Sequence, residues 1–309
     1  FLKNIYNYYI LIMEKQRILS CIFTLLILLC SLSSFSFDNI KFALKSDPNV
    51  TAEYNGVIKN GMANGAGKAV FYRDGEFYGE YDGEWKDNDF HGKGIYKTNK
   101  GNIYSGQFEF SKRNGFGEHK WSNGNIYVGN WLNNEQHGEG EHTWTNGEKY
   151  AGTYIAGKQT GYGVYTWPNG NKYEGYWVDG DRHGEGTFTM NTGDKYVGAY
   201  AEDQKNGIGT MYYANGSIYK GEWVDDLPHG QGIKTFANGN SFQGTWYKDK
   251  FHGKGTYTWS DGDKFVGEFV HGQRHGAGLM YLTNGTTQNG NYINDVLQKE
   301  SKAVAANNQ

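Results

Sequence analysis

The chain has 309 residues with a net charge of −3, from 30 basic and 33 acidic side chains, and it holds 46 glycines, 25 tyrosines and only 3 prolines. Its lysines and arginines are scattered singly among acids, which excludes the basic stripe of a nucleic-acid binder. With a mean hydropathy of −0.75 yet many aromatic residues, the composition fits neither a helical core nor a disordered tail.

Residues 1–12, FLKNIYNYYILI, lack an initiating methionine, and Met13 is read as the start. Lys15 and Arg17 then precede the 15-residue apolar run Ile18–Leu32, which leads into the small-residue segment SLSSFS. This is the layout of a signal peptide, and a spanning helix wants about 18 or more apolar residues. Residues 1–36 are therefore read as upstream segment plus leader, cleaved near Ser36, with an uncleaved N-terminal anchor as the alternative. Either way the remainder is expected to be exported: secreted, periplasmic or lumenal. Cys21 and Cys30 both fall in the apolar run, so the chain beyond Leu32 has no disulfide framework and no cysteine zinc site. Residues 37–53 are expected to be a linker or N-terminal cap.

From Tyr81 the sequence repeats every 23 residues without insertion, with rows headed by Tyr81, Tyr104, Tyr127, Tyr150, Tyr173, Tyr196, Tyr219, Phe242 and Phe265. Four glycine columns, at offsets +2, +11, +13 and +20, hold 36 of the 46 glycines. A degenerate row starts at Tyr54 and a partial one at Gln288, so the array covers 54–292 and leaves a polar tail at 293–309. Each row contains two alternating runs, such as YVGNW (Tyr127–Trp131) and GEGEHTW (Gly138–Trp144). Period two means strands. A polar loop such as LNNEQ joins the two, and the NG, TG or DG dipeptide after the second is the strongest short hairpin signal. The predicted fold is all-β, an open single-layer ribbon or β-solenoid of stacked antiparallel β-hairpins. Tyr127, Gly129 and Trp131 share a face, so rings are expected to sit where a neighbouring row offers hydrogen in place of a Cβ, and a Cβ at Gly175 to strike a neighbouring ring.

The column at offset +10 carries His91, His137, His183, His229, His252 and His275, with Asn114, Thr160 and Asn206 in other rows. Rows two strands apart stand about 10 Å from each other, too far for a shared metal, and a turn-stabilising hydrogen bond is expected instead. The GxG triplets are followed by no Lys-Ser or Lys-Thr, so no phosphate loop is present. Nucleophile, base and orienter nowhere group together. No catalytic residue, metal or cofactor is expected, and the chain is read as non-enzymatic.

Two aromatic columns remain. The first is Trp85, Phe108, Trp131, Tyr154, Trp177, Tyr200, Trp223, Trp246 and Phe269; the second includes Trp121, Trp144, Trp167, Tyr213, Phe236 and Trp259. In a ribbon with one face uncovered such rings either form the core alone or also line a groove. On the second reading Trp131, Tyr154, Trp177, Tyr200, Trp223 and Trp246 are the candidate partner-binding residues.

The 23-residue pattern YxGxWxxGxxHGxGxxxxxxGxx over residues 54–292 resembles the MORN (membrane occupation and recognition nexus) repeat. The resemblance implies a curved antiparallel ribbon, often closed by a helix at one end, and a non-catalytic scaffold. It also implies membrane association, grasping of extended or helical peptides in an aromatic groove, and dimerisation. The leader sets this chain apart from the family's intracellular members. The expected function is an exported scaffold that binds a protein or peptide, at a membrane surface, through its aromatic face; the alternative is an extracytoplasmic glycan- or cell-wall-binding module. An uncovered end strand implies pairing into a homodimer.

Overall fold

The computed structural model describes residues 36–45 and 47–298; the leader reading and the end of the polar tail lie outside the described residues. The chain forms two compact units, the first ending at Glu135 and the second starting at Gln136. Both are built of strands alone, and no helix occurs among the described residues.

The first unit contains β1 (Ser36–Ala43), β2 (Val50–Lys59), β3 (Met62–Arg73), β4 (Glu76–Lys86), β5 (Asp89–Thr98), β6 (Ile103–Glu109), β7 (Lys112–Lys120) and β8 (Ile126–Leu132). Each pairs antiparallel with the next. The stretch 37–53, expected as linker or cap, thus holds β1, which pairs along β2 from Ser36↔Ile58 to Ala43↔Thr51. The second unit continues the plan from β9 (Glu135–Thr143) to β23 (Val296–Leu297).

The hairpin of β12 (Lys172–Val178) and β13 (Asp181–Thr189) shows the local rules. Gly175 faces Gly186 within the hairpin, and Gly163 of the preceding row faces Gly175 across the row boundary. Glycine is therefore stacked on glycine from strand to strand. Beyond Gly175 the register shifts, so that Trp177 faces Arg182 and three residues of β13, His183–Glu185, lie opposite the single Tyr176 as a β-bulge.

Two expectations about turns and glycines are corrected. The tight hairpin turn lies in the polar loop, where both central residues have positive φ in all nine regular rows, for example Asn133 at 52° and Asn134 at 75°. Such a pair is the two-residue turn whose twist matches the flanking strands. The NG dipeptide instead closes the wider loop between rows: the Trp144 N–H donates to the Glu148 carbonyl at 2.9 Å, the Gly147 N–H donates to the Trp144 carbonyl at 2.9 Å, and only Gly147 has positive φ, at 87°. Asn146 serves as a cap, its Oδ1 accepting the Glu148 N–H at 3.1 Å. The second correction concerns which ring covers which glycine. Tyr173 leans along its own strand, so a Cβ on Gly175 would lie 2.6 Å from the Tyr173 Oη and 2.6 Å from the Gly186 Cα of the same hairpin. The collision is with the row's own tyrosine.

Candidate interaction face

The tyrosine heading each row is buried, and its hydroxyl donates to the carbonyl three residues on, at the bulge, with lengths from 2.9 to 3.2 Å across eight rows. That bond gives a partner to a carbonyl beside the register shift. Burial drives the Tyr104 phenol up to about 12, with nearby Arg113 pulling the other way. It therefore stays protonated as a donor. Phe242 and Phe265 lack the hydroxyl, and Phe242 is covered instead by Phe251, stacked at 3.9 Å.

The ring four residues after each head stands edge-on between two heads. Trp177 meets Tyr173 at 5.1 Å and 89°, and Tyr150 of the preceding row at 5.4 Å and 88°. The indole N–H reaches the preceding row's glycine carbonyl, as in Trp131 to Gly117 at 3.2 Å and Trp223 to Gly209 at 3.2 Å. Rows are thereby joined by ring contact and hydrogen bond together. Trp131, Tyr154, Trp177, Tyr200, Trp223 and Trp246, the residues singled out from sequence as partner-binding, are all in this column and are only 2 to 4 % exposed. A partner approaching this face does not meet them first.

What it meets is a third position, nine residues after each head, which sequence reading passed over. Arg113 lies 4.1 Å from the Trp131 ring, Arg182 5.1 Å from Tyr200 and Lys205 4.8 Å from Trp223, while Phe90 stacks on Tyr81 at 4.1 Å. The residue types differ, but each has a long apolar or flat side chain that bars the groove above the buried rings. The available signal was the side chain 21 residues later: Asn134 Oδ1 accepts the Arg113 N–H at 2.9 Å, and Asp203 Oδ1 the Arg182 N–H at 2.9 Å.

Beside these bars runs an outer ledge of half-buried rings. In the second unit His142 stacks on Trp144 at 4.2 Å and 5°, Trp144 meets Tyr165 at 5.5 Å, Tyr165 meets Trp167 at 4.5 Å, and Trp167 meets Phe188 at 5.4 Å. Desolvation holds the His142 imidazole down at about 4, so it is neutral in this stack at ordinary pH. No second layer covers this ledge among the described residues. The loops that carry it are tied row to row: Asn171 Oδ1 accepts the Asn191 N–H at 2.9 Å and Asp194 Oδ1 the Ala214 N–H at 2.7 Å.

In the first unit the corresponding face forms a cleft of about 400 Å³, walled by Phe90, Tyr96, Tyr104, Phe108, Arg113 and His119 among others. The β1–β2 loop closes one side through the ion pairs Lys45–Asp89 at 3.2 Å and Arg73–Asp47.

The histidine column does not make the expected turn bonds: the Nδ1 atoms of His91, His252 and His275 are buried without a hydrogen-bond partner. The turns are already closed by backbone, and the imidazoles pack instead near rings of the following row, His91 at 6.3 Å from Phe110 and His229 at 5.2 Å from Tyr247.

No curated protein sequence matches the chain. Solved structures with detectable likeness include the SAS-4 TCP domain of Drosophila melanogaster in complex with a proline-rich motif of Ana2, at 15 % identity over 49 % of this chain and 83 % of that one, with a TM-score of 0.33. Another is the TCP10 domain of Danio rerio CPAP, at 12 % identity, 64 % and 99 % coverage and a TM-score of 0.34. At these scores neither bears on how this chain works. The family comparison is of a different order: the MORN-repeat model matches nine consecutive segments, 81–103, 104–126, 127–149, 150–172, 173–195, 196–218, 219–241, 242–264 and 265–287, each opening on a ring-bearing head. With the matched segments filling residues 81–287 and every one folding as a hairpin with its head ring over paired glycines, the chain belongs to the MORN-repeat family.

Proposed function

We propose that the protein is an exported, non-enzymatic scaffold that binds a protein partner along its outer aromatic ledge, at a membrane surface. The observation that carries this is the run His142, Trp144, Tyr165, Trp167 and Phe188, five rings in mutual contact and only half-buried. Rings held rigid in advance give contact area at little ordering cost, which is why aromatics concentrate binding energy. The rows stand about 10 Å apart, close to the three-residue repeat of about 9 Å with which a polyproline II segment returns its side chains to one face. A partner segment with apolar side chains at that interval can place one on each row. The leader-like run before the array supports export.

The test is capture from the exported fraction of the host, run beside retention on insoluble polysaccharide, with the Trp144→Ala/Trp167→Ala double variant in parallel. A protein held by the natural chain and released by the variant supports the proposal. Retention on polysaccharide with no protein captured would make the chain a glycan- or cell-wall-binding module instead. Mass spectrometry of the mature chain reads the export arm, an N-terminus near Ser36 meaning a cleaved leader and an intact Met13–Leu32 segment an anchor. Light scattering on the same preparation reads pairing of an end strand with a second copy.

A further inference from the structure

Four rows carry a cation as the bar over their rings: Arg113, Arg182, Lys205 and Arg274. In three of them the side chain 21 residues later is an aspartate: Asp203 meets Arg182 at 3.0 Å, Asp226 meets Lys205 at 3.7 Å, and Asp295 meets Arg274 at 3.0 Å. Arg113 meets Asn134. The asparagine reproduces the hydrogen bonds, from Arg113 Nε to its Oδ1 at 3.4 Å and from Nη2 to its backbone oxygen at 2.7 Å, but brings no negative charge. Among the described residues no carboxylate pairs with Arg113. A guanidinium withdrawn from water without a counter-charge is costly, and this one faces the first unit's cleft.

The donors around it are also left over. Arg113 Nη1 donates to Nδ1 of His119 at 2.9 Å, which puts the imidazole's proton on Nε2. That Nε2–H is buried and without a partner. Of the guanidinium's five N–H groups, three are engaged by Asn134 and His119 and two are not. Two other polar groups of the wall are already paired: Asp47 is taken by Arg73, and Ser111 donates to Asp89 while accepting the Phe90 N–H. A cleft of about 400 Å³ with an aromatic floor is of ligand-binding size.

We infer that this cleft binds a carboxylate carried on an apolar, ring-sized body, the carboxylate accepting from Arg113 and the body lying against Phe90, Tyr96 and Phe108. The ligand supplies from outside the negative charge that Asp203 supplies to Arg182 from within. A free small acid and the C-terminal carboxylate of a bound chain share this chemistry.

The test is titration of the full chain with 3-phenylpropanoate, with the neutral 3-phenylpropanamide and with a short peptide ending in phenylalanine, read by calorimetry. The acid is expected to bind about tenfold or more tightly than the amide, as a charge-assisted pair requires. Asn134→Asp, which installs the counter-charge of the other rows, should weaken the acid by a similar factor without lowering the melting temperature. Asp203→Asn, made as a control in the second unit, should leave it unchanged. A peptide that outbinds the free acid identifies a chain terminus as the source, and equal affinity a free acid. Equal binding of acid and amide, no saturable binding of the acid at millimolar concentration, or indifference to Asn134→Asp overturns the assignment.

Discussion

Trp177 and Trp167 belong to neighbouring aromatic columns, Trp177 within β12 and Trp167 just past the end of the preceding strand, yet Trp177 is buried and Trp167 is half-exposed. The difference lies beneath and above them. Trp177 stands between two tyrosine heads, each sunk over a glycine pair whose missing Cβ atoms leave room for a ring, and the bars pass over the column. Trp167 is supported sideways by Tyr165 and Phe188 and has no covering layer. Aromatic content alone therefore does not mark a binding groove in such a ribbon. Rings over glycine become structure, and rings beside the glycine columns remain available.

This contrast can be broken at graded cost. Trp177→Ala removes contacts with two heads and the 3.4 Å bond to the Gly163 carbonyl, and should cost about 3–5 kcal/mol in chemical denaturation. The loss should be confined to nearby rows, since repeats couple mainly to their neighbours. Gly175→Val should cost about 1–3 kcal/mol through overpacking: the added Cβ would sit 2.6 Å from the Gly186 Cα, a backbone atom that cannot turn aside. A melting temperature equal to that of the natural chain would remove the glycine columns from the account. Tyr219→Phe deletes the 2.9 Å bond to the Glu222 carbonyl and makes the row resemble those headed by Phe242 and Phe265. About 1 kcal/mol is expected from the midpoint in urea. Trp144→Ala, on the ledge, should lower stability least of these, because its ring is half-exposed already.

Much of this plan was legible in the sequence because it is periodic. The head tyrosines, the glycine columns and the alternation of two set the hairpins and the face on which the rings lie. The location of the tight turn was not, since Asn146-Gly147 carries the stronger local signal, whereas Ala156, Phe110 and Lys248 adopt positive φ without any propensity for it. Their conformation is imposed from outside: the Gly157, Ser111 and Asp249 N–H groups, each one residue on, donate to carbonyls of the preceding row. The bars were hidden for another reason. Phe90, Arg113, Gln159 and Pro228 share a place but no chemistry, and a column shows in a sequence only when its residues look alike. Burial of the nominated tryptophans could not be read either, because it depends on those bars.

The most direct measurement pairs folding with binding on two variants, Trp177→Ala from the inner column and Trp144→Ala/Trp167→Ala from the ledge, each melted and each titrated with the partner recovered by capture. The account predicts that the ledge variant keeps its melting temperature within a few degrees of the natural chain and loses the partner, while Trp177→Ala melts lower and, below its transition, still binds. A ledge variant that binds as the natural chain does would contradict it and move the partner elsewhere, to the bars or to the opposite face where Tyr162, Tyr176 and Ile208 are exposed.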